Sequence, residues 1–245
     1  MNGRVRFLIA GVQKGGTTAL DEHLRAHPAL QMASVKEAHI FDDESIDWDA
    51  PDYGAYHRLF TAPERLWGEA TPIYVYWPPS LERIRRYDPA MRLILLFRDP
   101  AERAWSHWKM ERDRGWDDRP FGWCIREGRA RLADADPPGA HRVYSYVERG
   151  FYGAQLERVL QLFPREQLLL LRSEDLKQQP DATLRQVTDF LDVAPLPDLD
   201  EARRANVAAD PSAIDPEDAA YLRGIYREDL QRFAELSGLD VSGWT

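Results

Sequence analysis

A lysine, two glycines and two threonines stand side by side near the amino terminus, at residues 14–18. Glycines let the backbone approach a ligand closely, and the amides at the start of a helix favour an anion. A lysine ammonium and threonine hydroxyls add a positive charge and further hydrogen-bond donors. This composition predicts a site for a phosphate or sulfate group, formed by Lys14, Gly15, Gly16, Thr17 and Thr18.

The residues on either side of this run favour the same function. Residues 5–10 are apolar in the manner of a buried strand, and residues 17–27 have the apolar spacing of a helix. A glycine-rich loop between a strand and a helix is the setting in which such a motif binds phosphate. A glycine turn with a purely structural role is the alternative.

The loop is close to the Walker pattern G-x-x-x-x-G-K-[ST], with one difference. Thr17 takes the position of the Walker lysine, and the lysine lies at residue 14. A kinase needs that lysine on its phosphates and an acidic residue for the metal ion. The second strongly apolar run, residues 91–97, instead leads into Arg98. A P-loop kinase acting on a small molecule therefore stays as an alternative function.

Arg98 is the candidate for a second phosphate contact. It follows a predicted buried strand, and ligands of open α/β sheets bind at the carboxyl ends of the strands. A guanidinium group can hold a phosphate through two hydrogen bonds, and Ser106 can donate another from eight residues further on. An ion pair of Arg98 with Asp99 or Glu102 is the structural alternative.

Together these two motifs resemble the nucleotide-binding motifs of sulfotransferases that use 3′-phosphoadenosine 5′-phosphosulfate (PAPS). Residues 14–20 resemble the 5′-phosphosulfate loop of that family, residues 93–106 resemble its 3′-phosphate motif, and weaker similarity extends over nearly the whole chain. The resemblance implies PAPS as donor substrate, adenosine 3′,5′-bisphosphate (PAP) as product, and no metal ion. It also implies nucleotide contacts from Lys14, Gly15, Gly16, Thr17, Thr18, Arg98 and Ser106.

Residues 36–41 (KEAHIF) resemble the K-E-x-H-F-F segment of the heparan-sulfate-type carbohydrate sulfotransferases. The resemblance implies that Glu37 is the base that takes the proton of an attacking hydroxyl, while Lys14 stabilises charge on the departing phosphate oxygen. His39, two residues further on, is expected to share a strand face with Glu37, and either orients the carboxylate or is itself the base. The alternatives are a surface ion pair of Lys36 with Glu37 and a half-buried structural histidine.

Two departures from the family pattern concern the acceptor. Residues 68–74 resemble the segment E-K-T-P-x-Y, but Ala70 replaces its lysine, and only a weak phosphate role is expected for Arg203 or Arg204. Six acidic residues also lie between positions 42 and 52. They form either a solvated loop or part of an acceptor cleft that repels polyanions. We expect a neutral or cationic acceptor: a sugar, a glycolipid or a hydroxylated natural product.

The elements that must position these residues predict an α/β fold. Apolar runs at residues 5–10, 91–97 and 167–171 alternate with amphipathic stretches, which favours a central parallel sheet flanked by helices, in a P-loop-like domain. We expect one domain over residues 1–245, with residues 111–143 as an irregular cap on the acceptor side.

Composition excludes several other functions. The chain has 32 basic and 41 acidic residues among its 245, a net charge of −9, which argues against non-specific nucleic-acid binding. Its single cysteine cannot form an intramolecular disulfide, and the sequence shows neither a signal peptide nor a membrane span. We therefore expect a cytoplasmic protein. Oligomeric state stays open, and a non-catalytic nucleotide-binding domain is the remaining alternative.

Overall fold

The computed structural model describes residues 3–196 and 213–244. Within these residues the chain divides into two compact units. The first unit takes residues 3–97 and 160–196, and the second takes residues 98–159 and 213–244.

The first unit contains a five-stranded parallel sheet with the strand order β2-β3-β1-β4-β5. The strands are apolar along most of their length, as expected for a parallel sheet buried on both faces. Leu8 of the central strand β1 lies opposite Glu69 on one neighbour and Leu93 on the other. The strands are Val5–Gly11 (β1), Leu30–Met32 (β2), Leu66–Ala70 (β3), Arg92–Phe97 (β4) and Leu168–Arg172 (β5).

Nine helices occur in the described residues. Their bounds are Thr17–Arg25 (α1), Gly54–His57 (α2), Ser80–Tyr87 (α3), Pro100–Asp113 (α4), Phe121–Cys124 (α5), Tyr152–Leu162 (α6), Ser173–Gln178 (α7), Pro180–Leu191 (α8) and Pro216–Ser237 (α9). Short 3-10 turns lie at Glu127–Leu132, Glu148–Gly150, Arg165–Gln167 and Ser242–Trp244.

The core of the first unit lies between the sheet and the apolar stripes of α1, α7 and α8. Leu20 and Leu24 of α1 and Leu184 and Val187 of α8 pack in one cluster with Phe7 of β1. Burying a side chain of this size stabilises the fold by about 1.5–3 kcal/mol. This cluster fixes α1 against the strand that leads into the glycine-rich loop.

The second unit is built around α4 and α9. Asp99 caps α4 by accepting the amides of Ala101 (2.8 Å) and Glu102 (3.1 Å), with Pro100 in the first turn. Asp229 of α9 accepts the amides of Gly153 and Ala154 at the start of α6.

These elements confirm the predicted α/β fold with its parallel sheet, and the predicted strands and helices end within a few residues of the observed bounds. Strand β2 and the helices α2, α3, α5 and α7 were not predicted. Residues 111–143 contain the end of α4, all of α5 and one 3-10 turn. Their role as an acceptor-side cap, and the single domain over residues 1–245, stay predictions.

Candidate active site

The glycine-rich loop follows β1 and is fastened to the neighbouring strand. The amide of Val12 donates to the carbonyl of Leu96, and the amide of Gly15 donates back to Val12, each at 2.9 Å. A Cβ atom on Gly15 would lie 2.3 Å from that Leu96 oxygen, so only glycine fits there. The loop therefore has a fixed path at the carboxyl end of the sheet.

The loop ends in a helix start that is suited to an anion. Gly16, with φ 93°, is the N-cap residue of α1, and it has no side chain to accept the amides of the first turn. Free amides at a helix start carry partial positive charge. Thr17 is buried, Thr18 is exposed, and Lys14 is half-buried with φ 70°. The predicted residues Lys14, Gly15, Gly16, Thr17 and Thr18 thus form one loop and helix start.

The predicted catalytic segment is not a strand, so the expectation that Glu37 and His39 share a strand face was wrong. Both residues have left-handed backbones, with φ 61° for Glu37 and 54° for His39. Such a conformation costs a non-glycine residue roughly 1–3 kcal/mol and occurs preferentially at functional sites. Lys14, Glu37 and His39, the three predicted catalytic residues, all have positive φ.

The side chains of this segment form a line of alternating charge. The Nζ atom of Lys36 lies 2.6 Å from Oε1 of Glu37, and Nε2 of His39 lies 3.6 Å from the other carboxylate oxygen. On the far side of the ring, Nδ1 of His39 lies 3.0 Å from Oδ2 of Asp42. Asp42 is fully buried, whereas Glu37 and His39 are partly exposed. Sequence reasoning missed Asp42, because it was grouped with the acidic run that follows.

Each charge in this line stabilises its neighbour. The His39 imidazole and then the Lys36 ammonium, acting against partial burial, lower the pKa of Glu37 to about 2. Hydrogen bonds to Asp42 and then to Glu37 raise the pKa of His39 to about 9. At neutral pH, Glu37 is therefore a carboxylate and His39 an imidazolium, with a carboxylate at each ring nitrogen.

The acidic residues after this segment have local structural roles. Glu44 accepts hydrogen bonds from Arg83 and from the indole of Trp77. Asp43 and Asp52 accept backbone amides two residues further on, as turn-forming aspartates do. These contacts favour the interpretation of the run as a solvated loop.

Arg98 and Ser106 belong to the second unit. The guanidinium of Arg98 makes two hydrogen bonds with Glu102, at 2.8 and 3.0 Å, which is the ion pair considered above as the structural alternative. Its carbonyl accepts the hydroxyl of Tyr152, and Ser106 is half-buried on α4. Arg203 and Arg204 lie outside the described residues.

A model of the sulfotransferase domain family matches residues 4–208. The chain belongs to the sulfotransferase family. Heparan sulfate glucosamine 3-O-sulfotransferase 3B1 of Homo sapiens is 32% identical over 190 residues, which cover 75% of this chain and 45% of that protein. The membrane-associated sulfotransferase kil1 of Dictyostelium discoideum is 25% identical, over 96% of this chain and 65% of its own length. The chain thus spans about half to two thirds of the length of those two relatives.

Solved structures agree with this membership. A sulfotransferase from Alicyclobacillus acidocaldarius superposes with a TM-score of 0.80 at 26% identity, and the match covers 98% of both chains. The sulfotransferase domain from the curacin biosynthetic pathway shares the fold, with a TM-score of 0.58 at 17% identity. The predicted family is confirmed, and the comparisons give no support to the kinase alternative. Among helices in residues 3–196 and 213–244, none is long and apolar enough to cross a membrane.

Proposed function

We propose that this sulfotransferase transfers a sulfuryl group from PAPS to an acceptor hydroxyl by in-line attack. The hydroxyl oxygen forms a bond to sulfur, the bond from sulfur to the phosphate oxygen of PAP breaks, and the hydroxyl proton passes to Glu37. The observation that carries this proposal is the Glu37 carboxylate held against the imidazolium of His39, which Asp42 supports from behind.

The donor is assigned to the two phosphate motifs. The loop residues Lys14 to Thr18 would hold the 5′-phosphosulfate, because their glycines, helix-start amides and hydroxyls present donors to an anion. Lys14 would stabilise the charge that develops on the departing phosphate oxygen. For Arg98 and Ser106, the proposed 3′-phosphate contact rests on their sequence motif, and Arg98 would exchange Glu102 for the phosphate.

Glu37, rather than His39, is assigned as the base. Both ring nitrogens of His39 face carboxylates, so a neutral imidazole would direct a lone pair at one of them. The imidazolium has no lone pair with which to accept a proton. A carboxylate with a pKa of about 2 is a weak base toward a free alcohol. The hydroxyl proton becomes strongly acidic as the new bond to sulfur forms, so the transfer is favourable at that stage.

The acceptor is proposed to be a sugar, a glycolipid or a hydroxylated natural product without strong negative charge. The heparan sulfate glucosamine 3-O-sulfotransferases among the relatives support a sugar hydroxyl. Ala70, in place of the lysine of the family segment, supports an acceptor with fewer anionic groups. A screen of neutral and sulfated glycans tests this, and turnover of highly sulfated glycans alone would overturn it.

Calorimetric titration with PAP, with and without Mg²⁺, tests the donor. We expect metal-independent binding that Arg98→Ala and Lys14→Ala both weaken. Binding of a nucleoside triphosphate that requires Mg²⁺ would instead support a kinase.

The Glu37→Gln variant tests the base. We expect kcat to fall by about 10²–10⁴-fold with PAP affinity unchanged. Glu64→Gln is the matched control, because Glu64 is a largely exposed glutamate of the same unit whose ion pair with Arg65 spans 3.8 Å. Full turnover in Glu37→Gln would refute the assignment and support a different base. A non-catalytic domain would instead bind PAP and show no turnover in the wild type either.

A further inference from the structure

Four consecutive backbone amides of the catalytic segment, residues 37–40, donate to one short stretch of chain about thirty residues away. The acceptors all lie within residues 69–74, at the end of β3 and in the turn that follows. The pairs are Glu37 to the carbonyl of Ala70 (3.0 Å), Ala38 to Oε1 of Glu69 (3.3 Å), His39 to Oγ1 of Thr71 (3.4 Å) and Ile40 to the hydroxyl of Tyr74 (3.1 Å). We call Glu69, Ala70, Thr71 and Tyr74 the amide clamp.

The amide clamp is rigid because it is buried and internally bonded. Glu69, Thr71 and Tyr74 are each 0% exposed. The Thr71 hydroxyl donates to Oε1 of Glu69 while it accepts the amide of His39, so two of the acceptors are linked. Glu69 itself lies within β3, opposite Leu8 of the central strand. The catalytic segment is therefore joined to the sheet through Glu69 of β3.

The segment needs such support because its backbone is strained. Glu37 and His39 both have left-handed φ values, and such conformations persist only where surrounding contacts fix them. With both backbones turned in this way, Nε2 of His39 lies 3.6 Å from the Glu37 carboxylate. Three of the four clamp bonds end on side chains, so the residue types at positions 69, 71 and 74 decide whether the segment is held.

We propose that Glu69, Thr71 and Tyr74 are positioning residues, which hold residues 37–40 in the backbone conformation that places the Glu37 carboxylate against His39. The inference rests on the proposed role of Glu37 as the base. The proposed action of these residues is through the backbone amides of residues 37–40 and not through contacts with substrate. Their loss should therefore lower kcat and leave nucleotide binding intact.

Tyr74→Phe and Thr71→Val test the amide clamp, because each removes one hydroxyl and keeps the shape of the side chain. We expect kcat to fall about tenfold in each, close to the value of one hydrogen bond, with PAP affinity within about twofold of wild type. Tyr56→Phe is the matched control, since Tyr56 lies in the same aromatic cluster and its hydroxyl has no hydrogen-bond partner among the described residues. Thr71→Ser restores the hydroxyl and should restore kcat.

The titration of His39, followed by NMR, gives a readout that does not need turnover. In Thr71→Val and Tyr74→Phe the pKa of His39 should fall from about 9, because the ring moves away from its carboxylates. An unchanged pKa together with unchanged kcat would overturn the proposal, as would equal losses of kcat in Thr71→Val and Thr71→Ser. If Glu37→Gln kept full activity while Thr71→Val lowered the pKa of His39, the amide clamp would stand and the base assignment would fail.

Discussion

The buried Asp42 carboxylate should control the pH range in which this sulfotransferase works. Asp42→Asn keeps the shape of the side chain and removes its charge, and Asp42 contributes most to the raised pKa of His39. A single opposite charge at this distance shifts a pKa by roughly one to three pH units. We therefore expect the pKa of His39 to fall from about 9 by roughly one to two pH units in Asp42→Asn.

The sign of the effect on rate follows from the role of the imidazolium. In the wild type, with a pKa of about 9, His39 stays protonated through neutral pH and orients Glu37. Turnover should be level up to about pH 8 and fall above it as that proton is lost. In Asp42→Asn the fall in turnover should begin roughly one to two pH units lower. Compared with the wild type, the variant should therefore lose most turnover at about pH 8 and regain it near pH 6.

The contribution of His39 to stability has the same sign. It is complete below the unfolded-state pKa of 6.5 and is lost as the pH rises through about 9.

Two measurements check this prediction. NMR titration of isotopically labelled histidines gives the pKa of His39, since the chain has only 6 histidines to assign, and kcat is measured from pH 5 to 10. Asp43→Asn is the control, because it removes the same charge next to Asp42 while its carboxylate contacts Ser45. A loss of kcat in Asp42→Asn that is the same at every pH would refute the reasoning. So would a kcat that rises as His39 loses its proton.

Three glycine substitutions test the fold around the site. Gly15→Ala places a Cβ atom 2.3 Å from the carbonyl oxygen of Leu96. PAP affinity measured by calorimetry should therefore fall by at least about tenfold, or about 1.4 kcal/mol. Wild-type affinity in this variant would show that the loop accommodates the methyl group. Gly68→Ala places a Cβ atom 2.0 Å from the buried ring of Phe7 and should lower the free energy of unfolding by about 1–3 kcal/mol in denaturant melts; an unchanged midpoint would contradict this packing. Gly224 lies on the exposed surface of α9, and a Cβ atom added there would meet nothing within 4 Å beyond the helix's own backbone. Gly224→Ala should therefore stabilise the protein by about 0.5–1 kcal/mol. A lower melting temperature in this variant would contradict the prediction.

The glycine-rich loop between β1 and α1 could be predicted from sequence because its parts are contiguous. An apolar strand, glycines at positions 15 and 16, and an amphipathic helix follow one another within about twenty residues. Each signal is local, so the predicted bounds of β1 and α1 agree closely with those observed. The short strand β2 was missed because its three residues, Leu30–Met32, are too few to show the alternating pattern of a strand.

The segment proposed to be catalytic was singled out from sequence, but its backbone conformation was not predicted. Its resemblance to a family motif pointed to Glu37 and His39. Their left-handed backbones accompany hydrogen bonds to residues about thirty positions away, which no local pattern indicates. An alternating pattern predicts a strand, and nothing local indicates otherwise. Asp42 was missed because it begins the acidic run, and its contact with His39 is not visible in the sequence.

The charges beside Glu37 also bear on how an acceptor approaches the proposed active site. Lys36, Glu37, His39 and Asp42 carry two positive and two negative charges at neutral pH, within one chain of contacts. Such a cluster has no net charge, so its electric field decays within a few ångströms and does not steer a distant molecule. A neutral acceptor responds little to charge in any case, so ionic strength should hardly change how fast it arrives. Such an acceptor is therefore selected by its contacts in the site and not by long-range attraction.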